Sequence, residues 1–514
     1  MSAQGDHHYN LGLAFEDIAR RHGSRTALHL SDGRTVTFAA LNALANRTAH
    51  WLLTRGVASG EVVAIFHDKS PEAYALMLAC LRTGAIYVNL DQNSPTARLQ
   101  KIIGTCLPRC IIQDCIPTHG PVDAPGVATI DLHAPDVTAA IAACPTTLPP
   151  ACAAVTGAHP AYIMFTSGST GFPKGATMSH RNVLNFIAWA KDEYRITPDD
   201  RFTNVNPMYF DNSVFDLYAS LFNGATLIPF PYGIVKDPFS TIALVRATKP
   251  TVWFSVPSLL AYLITTKAID REAFASLRSV TFGGEGFPKP TLKKLWDMYA
   301  GRLRFVNVYG PTECTCICSA YDITADDLED LSGLAPLGQL APNFDHVVLD
   351  ADADGIGELA LRGPQVGLGY YNDPERTAAS FIQNPGHQRY PDRLYRTGDL
   401  VATDAQGRLH FKGRKDNQIK HMGYRIELEE IEAAFAALPG VHETGVVYKR
   451  AADGSGRIYA FVAATPGTEY ALMDAVKRLL PPYMVPRSLT IMDVLPKNAN
   501  GKIDRRALLE RIPS

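Results

Sequence analysis

Long apolar runs are missing from this 514-residue sequence. None reaches the ~18 residues that a membrane-spanning helix needs. The N-terminus, MSAQGDHHYN, also lacks the basic and then apolar order of a secretory signal. Hydrophobic residues make up 46% of the chain and charged residues 19%, which is typical of a globular protein. We therefore expect a cytoplasmic protein without membrane contact.

An excess of either charge is missing as well. Lys and Arg together number 49 against 51 Asp and Glu, which gives a formal net charge of -2. Such a balance offers no broad positive surface for nucleic acid, so any phosphate-binding site must be local. No nucleic-acid partner is expected.

Cysteine patterns typical of disulfide frameworks or zinc sites are not found. Nine cysteines in a long chain without an export signal are expected to be reduced thiols. Positions 106, 110 and 115 are not spaced as a paired zinc motif, and Cys314, Cys316 and Cys318 alternate as one face of a strand would. Small buried side chains are the expected role of both groups.

Apolar strands and amphipathic helices alternate through most of the chain, which predicts an α/β fold of more than one domain. Residues 62–66 are predicted as a buried strand and residues 71–83 as a helix that ends at Gly84. Residues 135–160, rich in Ala, Thr and Pro, are predicted as a surface connection. A charge-dense stretch after Gly413 and a new helix over 427–438 indicate a boundary. We predict a large domain over 1–413, a hinge over 414–416 and a small α+β domain over 417–514.

The strongest local motif is TSGSTGFPKG at residues 166–175, directly after the predicted strand 161–165. Glycines let backbone N–H groups approach phosphate oxygens, hydroxyls add donors, and a lysine supplies a cation. The order Gly-Lys-Ser/Thr of the Walker A loop is missing, which disfavours a P-loop kinase or GTPase. The phosphate-binding prediction covers Thr166, Ser167, Gly168, Ser169, Thr170, Gly171 and Lys174.

This loop and seven further motifs resemble the adenylate-forming superfamily, which includes acyl-CoA synthetases, firefly-type luciferases and the adenylation domains of nonribosomal peptide synthesis. The further motifs occur in the family's order and cover nearly the whole chain. They are TFAAL at 37–41, YGPTE at 309–313, GEL at 357–359, YRTGD at 395–399, GRKD at 413–416, LPPYMVP at 480–486 and NGKIDR at 500–505. The resemblance implies a large N-terminal domain of several subdomains and a small, mobile C-terminal domain.

The resemblance also implies the nucleotide contacts, with ATP and Mg²⁺ as cofactors. Tyr309 would stack on adenine, and Asp399 would accept hydrogen bonds from the ribose hydroxyls. Thr312 would donate to the α-phosphate, and Glu313 would hold Mg²⁺ through a hard oxygen ligand. The other implied nucleotide-binding residues are Gly284, Glu285, Asn307, Gly310 and Arg414.

Two half-reactions are implied, and they need different surfaces of the C-terminal domain. Lys502 matches the family's catalytic lysine, which bridges the substrate carboxylate and the phosphoribose oxygens during adenylation. Thiol attack on the acyl-adenylate then requires Lys502 to leave. In the family the C-terminal domain rotates about the position of Asp416 and brings the loop at Gly423 towards the thiol tunnel.

Asp211 is the residue that indicates the class of acid. Amino-acid-activating members of the family carry an aspartate here, where its carboxylate pairs with the α-ammonium group of the substrate. The alternative is a helix N-cap, because Asp precedes an apolar helical run. The implied pocket is tight with some polar capacity, which suits a small or medium side chain. Its residues are Asp211, Asn212, Phe215, Phe254, Thr281, Gly283, Val308, Cys316, Ile317 and Lys502.

Several stretches look most like the D-alanine to carrier-protein ligases. Those ligases carry a cysteine where this chain has Gly283, which argues against D-alanine itself. Because the chain ends soon after Lys502, a stand-alone enzyme is expected. Its partners would be an amino acid and, in trans, the phosphopantetheine thiol of a carrier protein. The alternatives are an acyl-CoA or aryl-acid ligase of the same fold, a luciferase-type oxidase and a non-catalytic scaffold.

Overall fold

A computed structural model describes residues 8–168, 172–450, 456–498 and 502–512. Two large sheets form most of the molecule. The nine-stranded sheet contains, in spatial order, Gln339–Leu340, Ser319–Asp322, Arg304–Tyr309, Ser279–Gly283, Val252–Ser255, Arg201–Asn204, Thr226–Pro229, Thr26–His29 and Thr35–Thr37. The seven-stranded sheet contains Gly369–Tyr370, Lys174–Ser179, Pro160–Thr166, Ile86–Leu90, Val62–Phe66, Cys110–Gln113 and Ala128–Asp131. Most neighbouring pairs are parallel, as alternation of strands and helices predicts.

Helices pack against both sheets, and one core cluster contains residues of the two sheets and of the helices. The long helices are Leu11–His22, Phe38–Thr54, Pro71–Thr83, Thr96–Cys106, His180–Tyr194, Pro238–Thr248 and Lys289–Tyr299. Shorter ones are Pro135–Ala143, Asn212–Val214, Tyr232–Lys236, Pro257–Thr265 and Pro374–Ser380, with a π-helical turn at Phe215–Ala219. Single 3₁₀ turns lie at Pro150–Ala154, Thr312–Cys314, Asp326–Leu328 and Pro482–Met484.

The helix Pro71–Thr83 shows how local signals set an element. The Ser70 side chain accepts a hydrogen bond from the Ala73 N–H, proline occupies the first turn, and Gly84 ends the helix with φ of +75°. The predicted strand Val62–Phe66 is buried along its whole length, as a central parallel strand must be. Both predictions are confirmed.

One sequence prediction is incomplete and one is wrong. Residues 135–160 are mostly exposed or half-buried, as a surface connection is, but they also form the helix Pro135–Ala143 and a 3₁₀ turn, and Val137 and Ile141 reach the core. Cys314, Cys316 and Cys318 do not lie on one strand. A 3₁₀ turn ends at Cys314, and Thr315 and Cys316 have positive φ of +61° and +75°, so the backbone coils before the strand Ser319–Asp322 begins.

A five-stranded antiparallel sheet follows the two large sheets. It contains Asp345–Leu349, Gly357–Arg362, Arg393–Thr403 and Phe381–Gln383, with Leu409–Arg414 paired to Arg393–Thr403. The smaller C-terminal part has a ribbon, Gln418–His421 with Tyr424–Glu427, and a sheet of Val441–Arg450, Gly456–Ala464 and Ser488–Met492. Its helices are Leu428–Ala436, Glu469–Lys477 and Arg505–Glu510, and the first of them is shorter than the predicted 427–438. This part has a hydrophobic core of its own.

The topology brings predicted site residues to the carboxyl ends of strands in both large sheets. Gly283 and Tyr309 end neighbouring parallel strands, and Thr166 ends a strand of the other large sheet. Ligands of open α/β sheets bind outside such carboxyl ends. None of the described helices is long and apolar enough to cross a membrane.

Candidate active site

Two adjoining cavities lie between the large sheets and the C-terminal ribbon. The first has a volume of about 80 Å³ and the second about 470 Å³. Predicted site residues that line the first cavity are Thr166, Ser167, Asp211, Asn212, Phe254, Gly284, Val308, Gly310, Thr312, Cys316, Ile317, Asp399, Arg414 and Gly423. Those that line the second are Gly284, Glu285, Asn307, Val308, Tyr309, Arg414 and Asp416. The fold thus brings together residues that lie as far apart in the sequence as Thr166 and Gly423.

The glycine-rich loop connects two paired strands, Pro160–Thr166 and Lys174–Ser179. A Cβ atom at Gly168 would lie 2.0 Å from the Phe172 carbonyl oxygen, so only glycine fits there. The side chain of Lys174 is 12% exposed, and its Nζ lies 3.7 Å from Glu313 Oε1. Burial lowers the pKa of Lys174 to about 8. Three predicted residues of this loop, Ser169, Thr170 and Gly171, lie outside the described residues.

Glu313 is fully buried beside the loop. It accepts a hydrogen bond from the Tyr370 hydroxyl at 2.7 Å and pairs with Arg425 Nη1 at 2.8 Å. Burial alone would raise the pKa of Glu313, but the charges of Arg425 and Lys174 outweigh it and lower the pKa to about 2. The cluster therefore holds an ionised carboxylate between two cations. Arg425 was not predicted as a site residue, and its 112-residue separation from Glu313 leaves no local signal of this contact.

At the other end of the cavities, Tyr309 donates its hydroxyl hydrogen to Asp399 Oδ2 at 2.6 Å, and Arg414 Nη1 lies 2.5 Å from Asp399 Oδ1. The Asn307 amide donates to the Pro336 carbonyl at 2.8 Å. Lys420, also not predicted, lies with its Nζ 5.6 Å from the centre of the Tyr309 ring.

Two backbone positions here require glycine. A Cβ atom at Gly310 would lie 2.1 Å from the Cys316 carbonyl oxygen. Gly284 has φ of +87°, a conformation that side chains rarely adopt. At both positions the backbone itself therefore lines the first cavity, because no side chain covers it.

Asp211 does not act as a helix cap. Its side chain makes no capping hydrogen bond to the helix Asn212–Val214 and instead accepts one from the Thr312 hydroxyl at 2.6 Å. Burial raises the pKa of Asp211, and the bond from Thr312 opposes that shift. A partly buried carboxylate that borders a cavity and accepts one side-chain hydrogen bond is suited to receive a cationic group.

Four predicted pocket residues do not line either cavity. Phe215 lies behind Phe254, with 5.3 Å between the ring centres at 81°. Thr281 donates to the Tyr194 hydroxyl at 3.2 Å. A Cβ atom at Gly283 would lie 2.5 Å from both Val308 Cγ2 and the Val308 carbonyl oxygen, so this backbone has no room for a cysteine there. The fourth residue is Lys502.

A buried polar network joins the backbone near Phe254, which lines the first cavity, to that near Phe215, which lies behind it. Asp216 Oδ2 accepts hydrogen bonds from the side chains of Asn204 and Asn206, each at 2.9 Å. Asn206 also donates to the Phe254 carbonyl oxygen at 3.0 Å. Since Phe215 precedes Asp216 on the π-helical turn, this network sets the position of one ring against the other. The sequence gives no sign of it beyond polar residues in apolar surroundings.

Gly423 lines the first cavity, whereas Lys502 lines neither cavity. Lys502 is exposed, and its backbone N–H donates to Asn498 Oδ1 at 3.1 Å. Gly423, with φ of +81°, packs against Val256 and donates its N–H to Glu285 Oε2 at 3.0 Å. The structure therefore presents the Gly423 loop, and not Lys502, to the cavities. Asp416 accepts two hydrogen bonds from Arg414, at 2.6 and 2.7 Å.

A glycine-rich loop at a strand end of an open α/β sheet, with a second domain above it, is typical of nucleotide-binding enzymes. Comparison with known proteins gives the family. The AMP-binding enzyme model matches residues 15–371, and the AMP-binding enzyme C-terminal domain model matches residues 430–502. The chain belongs to the AMP-binding enzyme family and is an AMP-forming ligase.

Similar proteins include two curated ligases and one solved structure. An L-proline–[L-prolyl-carrier protein] ligase of Streptomyces coelicolor is 34% identical over 96% of this chain and 94% of its own length. A second L-proline–[L-prolyl-carrier protein] ligase, from Pseudomonas fluorescens, is 32% identical over 96% of this chain and 97% of its own length. Holo-PA1221, a nonribosomal peptide synthetase protein with adenylation and PCP domains, superimposes with a TM-score of 0.82 at 28% identity over 98% of this chain and 84% of that one. The chain spans only 8% and 20% of two longer synthases.

Proposed function

We propose that this protein joins an amino acid to AMP, with release of pyrophosphate, and then transfers the aminoacyl group to the phosphopantetheine thiol of a separate carrier protein. The observation that supports an amino acid is the carboxylate of Asp211, which is partly buried and accepts a hydrogen bond from Thr312 next to the glycine-rich loop. Two curated relatives that match nearly end to end are carrier-protein ligases of an amino acid.

In the first half-reaction, a carboxylate oxygen of the amino acid attacks the α-phosphorus of ATP while pyrophosphate leaves. Two anions must be brought together, and the growing charge must be neutralised. Lys174 and the loop would hold the polyphosphate, and Thr312 would donate to the α-phosphate. Tyr309 and Asp399 would hold adenine and ribose, aided by Gly284, Glu285, Asn307, Gly310 and Arg414. Lys502 would enter by rotation of the C-terminal domain about Asp416.

Magnesium fits Glu313 as part of a larger ligand set. Mg²⁺ prefers hard oxygen ligands and binds through one or two carboxylates together with substrate phosphates. Glu313 is buried and ionised, and in the present arrangement Arg425 and Tyr370 engage its oxygens. When bound, the ion would neutralise charge on the leaving pyrophosphate. Arg425 must withdraw from Glu313 for this to happen.

Removing divalent cations should therefore separate the two half-reactions. With EDTA, we expect ATP–pyrophosphate exchange to stop and transfer from preformed aminoacyl-AMP to pantetheine to continue, because Arg425 and Lys174 supply positive charge at Glu313 in this arrangement. Exchange is measured with labelled pyrophosphate and transfer by thioester formation, and added Mg²⁺ restores the former. Equal loss of both would contradict the assignment.

In the second half-reaction, the thiol attacks the acyl carbonyl, and AMP leaves. The Gly423 loop borders both the first cavity and Val256, and it is held by Glu285, so it would form one wall of the thiol path. The arrangement of this structure suits that step, since Lys502 is outside the site and Gly423 is inside.

Among amino acids, we propose L-proline as the first to test. Both end-to-end relatives are L-proline ligases. The pocket offers apolar contacts from Phe254, Val308 and Ile317, which suit a small ring, and Asp211 for its ammonium group. Gly283, with no room for a cysteine, separates this pocket from the D-alanine ligases that the sequence resembles locally.

Amino-acid-dependent ATP–pyrophosphate exchange tests the proposed function. The panel contains L-proline, other small and medium L-amino acids and D-alanine. It also contains deaminated analogues, meaning acids without the amine nitrogen, such as cyclopentanecarboxylic acid, in which CH₂ replaces the ring nitrogen of proline. We expect exchange with at least one amino acid and little with its deaminated analogue, because only the former pairs with Asp211. A preference for deaminated acids would instead favour the acyl-CoA or aryl-acid ligase.

A further inference from the structure

We infer that Asn206, which lies behind the amino-acid pocket, is a specificity-determining residue of that pocket. Its side chain donates a hydrogen bond to the Phe254 carbonyl oxygen and so holds the backbone that carries the Phe254 ring, which lines the first cavity. The inference rests on the proposed function and adds to it a residue that sets how large an amino-acid side chain the cavity accepts.

The Phe254 carbonyl oxygen depends on a side chain for this hydrogen bond. The strand Val252–Ser255 is paired with the parallel strand Arg201–Asn204 at Val252, and the latter strand ends before Asn206. Beyond that point the Asn206 amide takes the place of a backbone donor, at 3.0 Å from the Phe254 oxygen. Both residues are buried, so removal of the amide would leave a buried acceptor without its partner, which is costly.

The same amide also holds the neighbouring ring. An asparagine side chain has two N–H donors, and the Asn206 amide also donates to Asp216 Oδ2 at 2.9 Å. Asp216 directly follows Phe215, whose ring centre lies 5.3 Å from that of Phe254. One side chain therefore links the backbones of both rings.

Further contacts restrain Asp216. The Asn204 amide donates to the same Oδ2 atom at 2.9 Å, and Asn204 Oδ1 accepts a hydrogen bond from the Tyr74 hydroxyl at 2.7 Å. Lys69 Nζ donates to the Asn204 carbonyl oxygen at 2.6 Å, and its positive charge favours the ionised form of Asp216. These contacts restrain Asp216 and, through it, the Asn206 amide.

Selection by size depends on how firmly the Phe254 ring is held. The first cavity has a volume of only about 80 Å³, so a larger substrate must displace part of its wall. Close-packed side chains resist such displacement, and one extra methylene in an apolar pocket typically changes kcat/KM by about 10–200-fold. Without its bond to Asn206, the Phe254 backbone yields more readily, and the larger substrate is rejected less strongly.

The test is how well the full-length protein discriminates between two homologous amino acids. One is the amino acid that the wild type activates best, and the other has one further methylene, as L-pipecolic acid has relative to L-proline. The ratio of their kcat/KM values is measured by ATP–pyrophosphate exchange. Asn206→Ala should lower this ratio about tenfold, in keeping with the loss of one partner of a buried hydrogen bond. If Asn206→Ala does not fold, Asn206→Ser replaces it, because a hydroxyl can donate to only one of the two acceptors.

Tyr74→Phe is the matched control. It removes the hydrogen bond from the Tyr74 hydroxyl to Asn204, which is a buried bond of the same network, and it leaves both bonds of Asn206 in place. We expect thermal unfolding to show a loss of stability in both variants. The ratio of kcat/KM values should fall only in Asn206→Ala.

A wild-type ratio in a folded but less stable Asn206→Ala variant would overturn the inference, because the role of Asn206 would then be structural alone. An equal fall in Tyr74→Phe would also overturn it, since general loosening of the core would explain both. The proposed function fails separately, if the wild type shows no exchange with any amino acid. Exchange in the wild type together with an unchanged ratio in Asn206→Ala would refute the inference alone.

Discussion

The Lys502→Ala variant is expected to lose adenylate formation by at least about 100-fold, the size of effect that follows removal of one positioned charge donor in a transition state. Transfer from preformed aminoacyl-AMP should survive, because Lys502 is exposed and borders neither cavity in the arrangement with the Gly423 loop inside. The first activity is measured by ATP–pyrophosphate exchange and the second by single-turnover thioester formation.

Lys477→Ala is the matched control, since Lys477 is an exposed lysine of the same C-terminal part. It should keep both activities. If Lys502→Ala were folded and both half-reactions fell together, Lys502 would have no role confined to adenylation, and the proposed rotation would lose its basis.

The Asp211→Ala variant should lose kcat/KM for its amino acid by about 100-fold or more, because a buried charged pair that loses one partner costs roughly 2–5 kcal/mol. The ammonium group of the substrate would enter the cavity without its carboxylate. Exchange with the deaminated analogue should fall much less, since that acid has no group to pair with Asp211.

Asp211→Asn separates charge from shape. It keeps an oxygen that can accept the Thr312 hydroxyl hydrogen, whose bond to Asp211 is 2.6 Å long. We expect amino-acid activation to fall nearly as far as in Asp211→Ala, with the thermal stability close to that of the wild type. Full activity of either variant with its amino acid would refute the role of Asp211.

Much of the fold was readable in the sequence, because its signals are local. Burial along Val62–Phe66 and the cap, proline and glycine of Pro71–Thr83 concern neighbouring residues. The misread segments have conflicting local signals. Residues 135–160 are rich in Pro and Thr yet include a helix whose Val137 and Ile141 reach the core, and the cysteines near 316 alternate in sequence without forming a strand.

The site contains residues that sequence motifs identify and residues that only the tertiary packing places there. Motif residues at strand ends, such as Tyr309 in one large sheet and Thr166 in the other, reach the cavities because ligand sites of α/β sheets lie beyond the carboxyl ends of the strands. Arg98, Arg425 and the Asn206–Asp216 pair carry no such marker. Their partners lie on distant elements, and a lone polar residue in a sequence does not show which one it will meet.

By itself, the sequence determined the family, the glycine-rich loop and the positions that require glycine, since these depend on residue type and on order along the chain. Gly168 and Gly310 are examples, because any side chain there would meet a backbone oxygen. Only the tertiary structure decided that Glu313 pairs with Arg425, that Glu430 covers Arg98, and that Gly423 rather than Lys502 borders the cavities. These contacts join parts of the chain more than 100 residues apart, and they depend on how the C-terminal domain docks.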